Sequence, residues 1–312
     1  MKGSKKHIPL WAQYALDVLA IGLGLLIFSY FHHVMPVIYD QTGYGSVNVD
    51  KNSLPDWSDK FPGVFLEEGV EKTPTSYKSK NVSIELIKHQ SENLCWWEAD
   101  VYVRNVTYLR TAFAGGVFAK GVSDSVPAMA KENGAVLAVN GDYYGVRDLG
   151  RVIRNGVVYR DSACYQVCAL YYDGTMETYR PGEFDVNRAV AGGVYQTWDF
   201  GPALLNRNGK AVTQFHPGIA GKNPRCAIGY YEPGHYVFVL ADGRQEGYSM
   251  GFTLVELAEL FEKLGCARAY NLDGGMSANM AFYGELVNVP ARGGRNVSDI
   301  LYVTDDPEGD DK

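Results

Sequence analysis

Asp273 is the residue of this chain best placed to do chemistry. It stands in Asn271-Leu272-Asp273-Gly274-Gly275-Met276-Ser277, directly after the apolar run Ala267 to Tyr270. A carboxylate, an amide and a hydroxyl thus surround two adjacent glycines, residues that let a backbone turn at positive φ or approach a ligand closely. A related segment, Asn140-Gly141-Asp142-Tyr143-Tyr144-Gly145, follows the apolar run Ala135 to Val139. Three further segments carry polar groups: Asn223-Pro224-Arg225-Cys226-Ala227-Ile228-Gly229, Asp242-Gly243-Arg244 after a strand-like run, and Gly293-Gly294-Arg295-Asn296-Val297. Carboxylates at strand ends can act as base or nucleophile, and the planar fork of arginine suits a phosphate. Each segment taken singly is equally compatible with an ordinary turn.

The elements that must position these groups read as α+β: mixed, mostly antiparallel sheets with a few helices, preceded by one transmembrane helix. Val82 to Ile87 alternates as a strand should, and Ala99 to Val103 and Val106 to Arg110 read as two more. Ser125 to Asn133 reads as a short helix leading into the strand before Asn140. Asp173-Gly174 joins Leu170 to Tyr172 with Thr175 to Tyr179 as a hairpin turn. Tyr236 to Leu240 reads as a buried strand. Thr253 and Glu256 form a capping box for a helix to about Leu264, and Gly265 ends it. The strand before Asn271 follows at once.

The N-terminus points to where the chemistry takes place. Lys2, Lys5 and Lys6 precede a largely apolar stretch from Ile8 to Val34, and Val18 to Phe31 carries no charge. Since about 20 apolar residues span a bilayer as a helix, residues 1–35 read as a retained signal anchor. Basic residues before the span place the N-terminus in the cytoplasm and the rest outside. Residues 36–80, rich in Gly, Ser, Pro, Asp and Lys, read as an extracytoplasmic stalk or linker with a short ordered piece around Trp57 to Phe65. Residues 81–312 read as one large domain. Residues 36–312 hold 26 Lys and Arg against 35 Asp and Glu, a net charge near −9. An acidic domain of this kind lacks the basic face that nucleic-acid binding needs.

The five cysteines and six histidines narrow the chemistry further. Cys164 and Cys168 are near enough to pair if the residues between them turn; Cys95, Cys226 and Cys266 have no preferred partner, so at most two bridges are expected. Zinc-type spacings are absent. No serine or cysteine stands at triad spacing from a histidine. His216, in a loop, is a candidate for substrate contact or for plain packing. Trp96, Trp97 and Trp198 could stack on sugar faces or fill the core.

Four of the polar segments together resemble the phosphodiester glycosidase family: an Asn-Gly-rich segment after a strand, Pro224-Arg225-Cys226-Ala227-Ile228-Gly229, Asn271-Leu272-Asp273-Gly274-Gly275, and Arg295-Asn296-Val297 before the last strand. They occur in the family's order from about residue 135 to the C-terminus. The chain departs from many relatives at Asp142, Tyr144, Cys226 and Met276. The resemblance implies an extracytoplasmic, membrane-anchored glycosidase that hydrolyses the sugar–phosphate bond of a sugar-1-phosphodiester, in cell-envelope or exopolysaccharide metabolism. Such hydrolysis passes through an oxocarbenium-like transition state flanked by carboxylates. The departing phosphate monoester, with a second pKa of roughly 6, needs little protonation, so fixed positive charge is the more useful device. Asp273 and Asp142 are the expected catalytic carboxylates. Arg225, Arg295, Asn140, Asn271, Asp242, Ser277, Gly274 and Gly275 are the expected substrate-binding residues. No metal and no cofactor are expected; the partners are a sugar-phosphate or anionic glycan substrate and, through the N-terminal helix, a membrane. The alternatives are a metal-dependent phosphodiesterase, favoured by Asp and Asn at strand ends, and a non-catalytic envelope module that binds or assembles an anionic polysaccharide.

Overall fold

The computed structural model describes residues 8–42, 44–50, 53–162 and 165–306. Two compact units divide the chain, Met1–Val37 and Ile38–Lys312. In the first, Leu10–Ser29 is a 20-residue helix of mean hydropathy 1.7 with no buried residue, long and apolar enough to cross a membrane.

The second unit is an α+β fold built around two antiparallel sheets. The larger has seven strands in the order Arg268–Asn271, Arg225–Glu232, His235–Ala241, Leu94–Val103, Val82–Ser91, Ser76–Ser79 and Val70–Thr73. The smaller has five: Glu285–Leu286, Met280–Phe282, Ala135–Asn140, Asp299–Thr304 and Leu109–Phe113. Alternate residues of each central strand go to opposite faces. Tyr236, Phe238 and Leu240 enter the same core as Leu137, Val139, Leu301 and Val303. The intervening Val237, Val239 and Ala241 pack instead with Leu257 and Phe261 of helix Leu254–Leu264. Ala138, Ile300 and Tyr302 pack with Met129 of helix Val126–Glu132. The layers therefore run helix, sheet, sheet, helix. Central strands covered on both faces read as continuous apolar runs, which is why Ala135–Asn140 and His235–Ala241 are so conspicuous in the sequence.

Local signals behave as the sequence predicts at several points. Ser125 caps helix Val126–Glu132, and Thr253 with Glu256 makes the capping box of the long helix, which ends at Gly265 with φ 84°. Val167–Tyr171 pairs with Met176–Tyr179 across a turn in which Asp173 accepts the Thr175 N–H at 2.9 Å. Where a strand was expected from Val106, the Asn105 side chain accepts the Thr107 N–H at 2.9 Å and bends Val106–Tyr108 into a single 3-10 turn. The strand is delayed to Leu109–Phe113.

The stalk expected over residues 36–80 needs correction over its C-terminal part. Trp57 and Phe61 enter the main core, and Val70–Thr73 and Ser76–Ser79 extend the seven-stranded sheet. Cys95, Cys168, Cys226 and Cys266 are free and buried, whereas Cys164 lies outside the described residues. Trp198 is fully buried, and Trp96 stacks on His89 with ring centroids 3.8 Å apart.

Gly229, in a strand beside the long helix, marks a close fit between sheet and helix. A Cβ there would lie 2.7 Å from both the Phe261 ring and the Val237 side chain. Overpacking of this kind costs about 1–3 kcal/mol. We expect Gly229→Ala to lower the unfolding free energy by that amount in urea titration, with the site geometry retained.

Candidate active site

Antiparallel pairing brings the polar segments to one end of the two sheets. In the larger sheet Asn271 lies opposite Ala227, so the C-terminal end of strand Arg268–Asn271 meets the beginning of Arg225–Glu232. In the smaller, Asn140 lies opposite Ile300, so the end of Ala135–Asn140 meets the beginning of Asp299–Thr304. The sheets are then tied to each other. The Asn140 amide donates to the Asp273 carbonyl at 2.7 Å, and the Asp273 N–H donates to the Gly141 carbonyl at 3.3 Å.

Two adjoining cavities result, and Asp273 and Arg295 belong to both. The smaller, about 140 Å³, is lined by Asn140, Gly141, Asp142, Tyr143, Ser277 and Ser123 among others. The larger, about 310 Å³, is lined by Asn271, Gly274, Gly275, Arg225 and Arg244 among others. Asp273 Oδ2 is paired with Arg295 Nη2 at 2.8 Å, and Oδ1 accepts the Gly274 N–H at 2.9 Å. Burial raises the Asp273 carboxyl above its ordinary value; Ser277 and Arg295 pull the other way without cancelling the effect. Ser277 Oγ in turn accepts from Arg295 Nε.

Three guanidinium groups surround the larger cavity, and each keeps one nitrogen free. Arg225 donates from Nε to the Phe252 carbonyl at 3.1 Å, and from Nη2 to the carbonyls of Ile219 and Gly221 at 2.7 and 2.6 Å. Arg244 donates from Nε and Nη2 to Asn223 Oδ1 at 2.9 and 2.8 Å. Arg295 uses Nε and Nη2 as described above. In all three, Nη1 makes no hydrogen bond to the described residues. Burial, and then the nearby charge of Arg244, lowers the Arg225 pKa to about 10. Asn271 donates to the Gly201 carbonyl at 2.9 Å, while its Oδ1 is buried without a partner. The cavity therefore offers cationic donors, which suit a ligand that carries negative charge.

The paired glycines are explained by contact rather than by motion. A Cβ at Gly274 would stand 2.6 Å from the Pro224 carbonyl oxygen, which accepts the Gly275 N–H at 3.0 Å; Gly275 itself has φ 64°. Any side chain at residue 274 would push the Asp273 loop off the Arg225 loop.

Beneath the smaller cavity lies a buried ion cluster. Arg154 Nη2 is 3.1 Å from Asp142 Oδ1 and 2.9 Å from Asp299 Oδ2. Asp142 also accepts the N–H groups of Tyr144 and Asp199 at 3.0 and 3.1 Å. Asp299 is fully buried, its Oδ1 has no partner, and desolvation raises its pKa to about 8 despite Arg154. A Cβ at Gly141 would fall within 2.4 Å of that carboxylate.

Asn140, Asp142, Asp273, Ser277 and Arg295 are thus brought together in one cavity, and Arg225, Asn271, Gly274 and Gly275 in its neighbour. Asp242 lines neither cavity. Its carboxylate accepts from Asn288, Tyr248 and the Val289 N–H at 2.8, 2.9 and 3.1 Å, so it braces a loop, contrary to the expected substrate contact. Asn140, fully buried, likewise braces the loops. His216 Nδ1 accepts the Gly218 N–H at 3.2 Å at the start of a short helix. Arg154 and Asp299 were not singled out from the sequence, and Arg244 was named there only within the segment Asp242-Gly243-Arg244. The local signal for Arg154 is its place directly after the apolar pair Val152-Ile153, at the end of strand Gly150–Arg154. Among the described residues, no group of three or more His, Cys, Asp or Glu could hold a metal ion.

A carboxylate and three arginines thus meet at the joined ends of two antiparallel sheets. The family model described as phosphodiester glycosidase matches residues 133–304, and the chain belongs to that family. It is 33% identical over 176 residues to the SPβ prophage-derived uncharacterized protein YomE of Bacillus subtilis (strain 168), a match covering 53% of this chain and 27% of that one. The chain thus spans about a quarter of that relative's length. The fold is similar to the zebrafish N-acetylglucosamine-1-phosphodiester alpha-N-acetylglucosaminidase catalytic domain auto-inhibited by pro-peptide. That likeness has a TM-score of 0.61 and 17% identity, covering 86% of this chain and 97% of the other. It is also similar to a hypothetical protein from Synechocystis, with a TM-score of 0.56 and 16% identity, covering 74% and 64%.

The ion cluster makes a stability prediction. Removing one partner of a buried ion pair costs about 3–5 kcal/mol, because the other charge is left uncompensated. Arg154→Met should lose that amount in denaturant titration, and adding Asp142→Asn, which removes the charge left without its partner, should recover part of it. The pH dependence follows from the raised native pKa of Asp299. Between the ordinary carboxylate range near 4 and its native value of about 8, the unfolded chain releases this proton while the folded chain keeps it. This residue's contribution to stability therefore falls as pH rises through that window. Asp299→Asn should flatten that part of the stability–pH curve.

Proposed function

We propose that this protein hydrolyses the bond between the anomeric carbon of a sugar and the phosphate of a sugar-1-phosphodiester, on the extracytoplasmic side of a membrane to which its N-terminal helix anchors it. The observation that carries this reading is the set of three free Nη1 groups around a cavity that shares Asp273 with its neighbour. One phosphate in the larger cavity would meet Arg225, Arg244 and Arg295, each able to donate a charge-assisted hydrogen bond. The sugar would then occupy the smaller, hydroxyl- and amide-lined cavity, with its anomeric carbon at the shared wall beside Asp273.

In this reaction the bond from the anomeric carbon to the phosphate oxygen breaks, and its electron pair leaves with the phosphate. Water supplies the new carbon–oxygen bond, giving free sugar and a phosphate monoester. Asp273 is the nucleophile or the base for that water. The arginines stabilise the charge that collects on the leaving phosphate, where preorganised donors act most strongly. Arg295 contributes twice: in the free protein it balances the buried Asp273, and with substrate bound its Nη1 reaches toward the phosphate. Asp142, with its oxygens held by Arg154 and two backbone N–H groups, positions the loop around the sugar. A role in the metabolism of envelope or extracellular glycans follows from this chemistry and the proposed location.

The test is the fate of isotopic oxygen. With the full chain in detergent and a panel of sugar-1-phosphodiesters in ¹⁸O-water, the label should appear in the sugar; label in the phosphate would identify a phosphodiesterase instead. Asp273→Asn should reduce turnover by about 10²–10⁴-fold, the range for loss of a positioned acid–base group. Unchanged turnover in that variant, or none with any panel member in the wild type, would sink the assignment.

The pH profile offers a separate check. Asp273 must be ionised to act, and its raised pKa moves the acid limb of kcat/KM above the usual carboxylate range near 4. Removing the opposing cation in Arg295→Met should push that limb further up. A limb that stays in place would separate Asp273 from the rate-limiting ionisation.

A further inference from the structure

The arginine cavity does not end at the phosphate. Phe200, Gly201 and Ile219 wall it on one side, and the same three residues wall a second cavity of about 610 Å³. Tyr165, Pro181 and Pro202 complete much of its surface. Three of the polar side chains here each have a partner within the protein. Gln166 Oε1 accepts the Ala203 N–H at 2.7 Å, and His216 Nδ1 accepts from Gly218 at 3.2 Å. Arg147 donates to the Asp199 carbonyl at 3.0 Å, and its guanidinium is covered by the rings of Tyr165, Phe200 and Tyr143, with centroids 4.9, 5.1 and 5.7 Å away. What faces a ligand is mostly ring and aliphatic carbon. Tyr165 and Ile219 remain 51% and 47% exposed in the free protein, so apolar surface is left for a ligand to cover.

We propose that this groove takes the apolar alcohol arm of the substrate, making the phosphodiester a lipid-linked sugar phosphate. The inference rests on the reading of the arginine cavity as the phosphate position. From there, the order along the cleft is sugar, phosphate, hydrocarbon. A second sugar or a peptide at the leaving side would meet mostly ring and aliphatic carbon, which gives its hydroxyls or amides no partner, whereas an alkyl or prenyl chain needs none. Separately, the same chain carries a helix long and apolar enough to cross a membrane, the place where a lipid-linked substrate resides.

Simple phosphodiester anions test the groove without knowledge of the sugar. Binding of dimethyl phosphate and methyl octyl phosphate would be measured by calorimetry on the full chain held in amphipol, with Tyr165→Asp under the same conditions to cancel partitioning. Each buried methylene strengthens binding by about threefold or more, so even a partly seated chain should bind at least about tenfold tighter than methyl. Tyr165→Asp should reduce that ratio severalfold, and Arg225→Met should weaken both ligands. Equal affinity of the two esters, or a chain-length gain untouched by Tyr165→Asp, would overturn the apolar arm. Failure of every sugar phosphodiester to be hydrolysed, with the chain-length gain intact, would instead remove the proposed reaction and leave the groove standing.

Discussion

The site depends on one short exchange of hydrogen bonds between the two sheets. The Asn140 side chain reaches the carbonyl of Asp273, and the Asp273 N–H reaches the carbonyl of Gly141. Each of these groups is buried, so leaving any one unpaired would carry a desolvation penalty of about 1–3 kcal/mol. The exchange fixes Asp273 relative to the smaller sheet although its strand belongs to the larger one. Both cavities exist because the strand ends cannot slide past each other. The glycines do the same from the other side, where Gly274 lets the backbone of the Asp273 loop rest against Pro224.

Charge is distributed unevenly around this junction. The chain is acidic overall, at −7. Yet the larger cavity gathers three arginines with Asp273 as the carboxylate among its lining residues. Carboxylates instead collect below the smaller cavity, where Asp142 and Asp299 share Arg154. Two carboxylates and one guanidinium out of water leave an excess negative charge, and burial resolves it by favouring the neutral form of Asp299. A neutral carboxyl behind Gly141 leaves the negative charge at the shared wall to Asp273.

Much of this arrangement was legible in the sequence because its signals are local. The capping box at Thr253 and Glu256, the Asp173-Gly174 turn and the apolar runs before Asn140 and Asn271 each depend on a few adjacent residues. The same holds for the strand-end segments that hold Asp273, Arg225 and Arg295. What was illegible depends on contacts between distant residues. Arg154 meets Asp299 from 145 positions away, and neither flanking sequence marks the pairing. Asp242 looked like a strand-end ligand because nothing local reveals that Asn288 and Val289 will consume its oxygens. The strands Val70–Thr73 and Ser76–Ser79 read as stalk in the sequence because sheet-edge strands need little apolar alternation, and all four residues of the first are exposed. The five-residue strand after Asn105 begins later than its sequence predicts because one Asx turn overrides propensity.

The ion pair of Asp273 with Arg295 has a thermodynamic meaning beyond its geometry. It is the common wall of two cavities, so an event in one is felt in the other. An anion that draws the guanidinium toward itself weakens the support for charge on Asp273, and a proton taken up by Asp273 releases Arg295 toward the anion. By linkage these two effects are equal in free energy. Anion affinity and the proton affinity of the carboxylate therefore rise together, and a bound anion would leave most readily when Asp273 is again ionised.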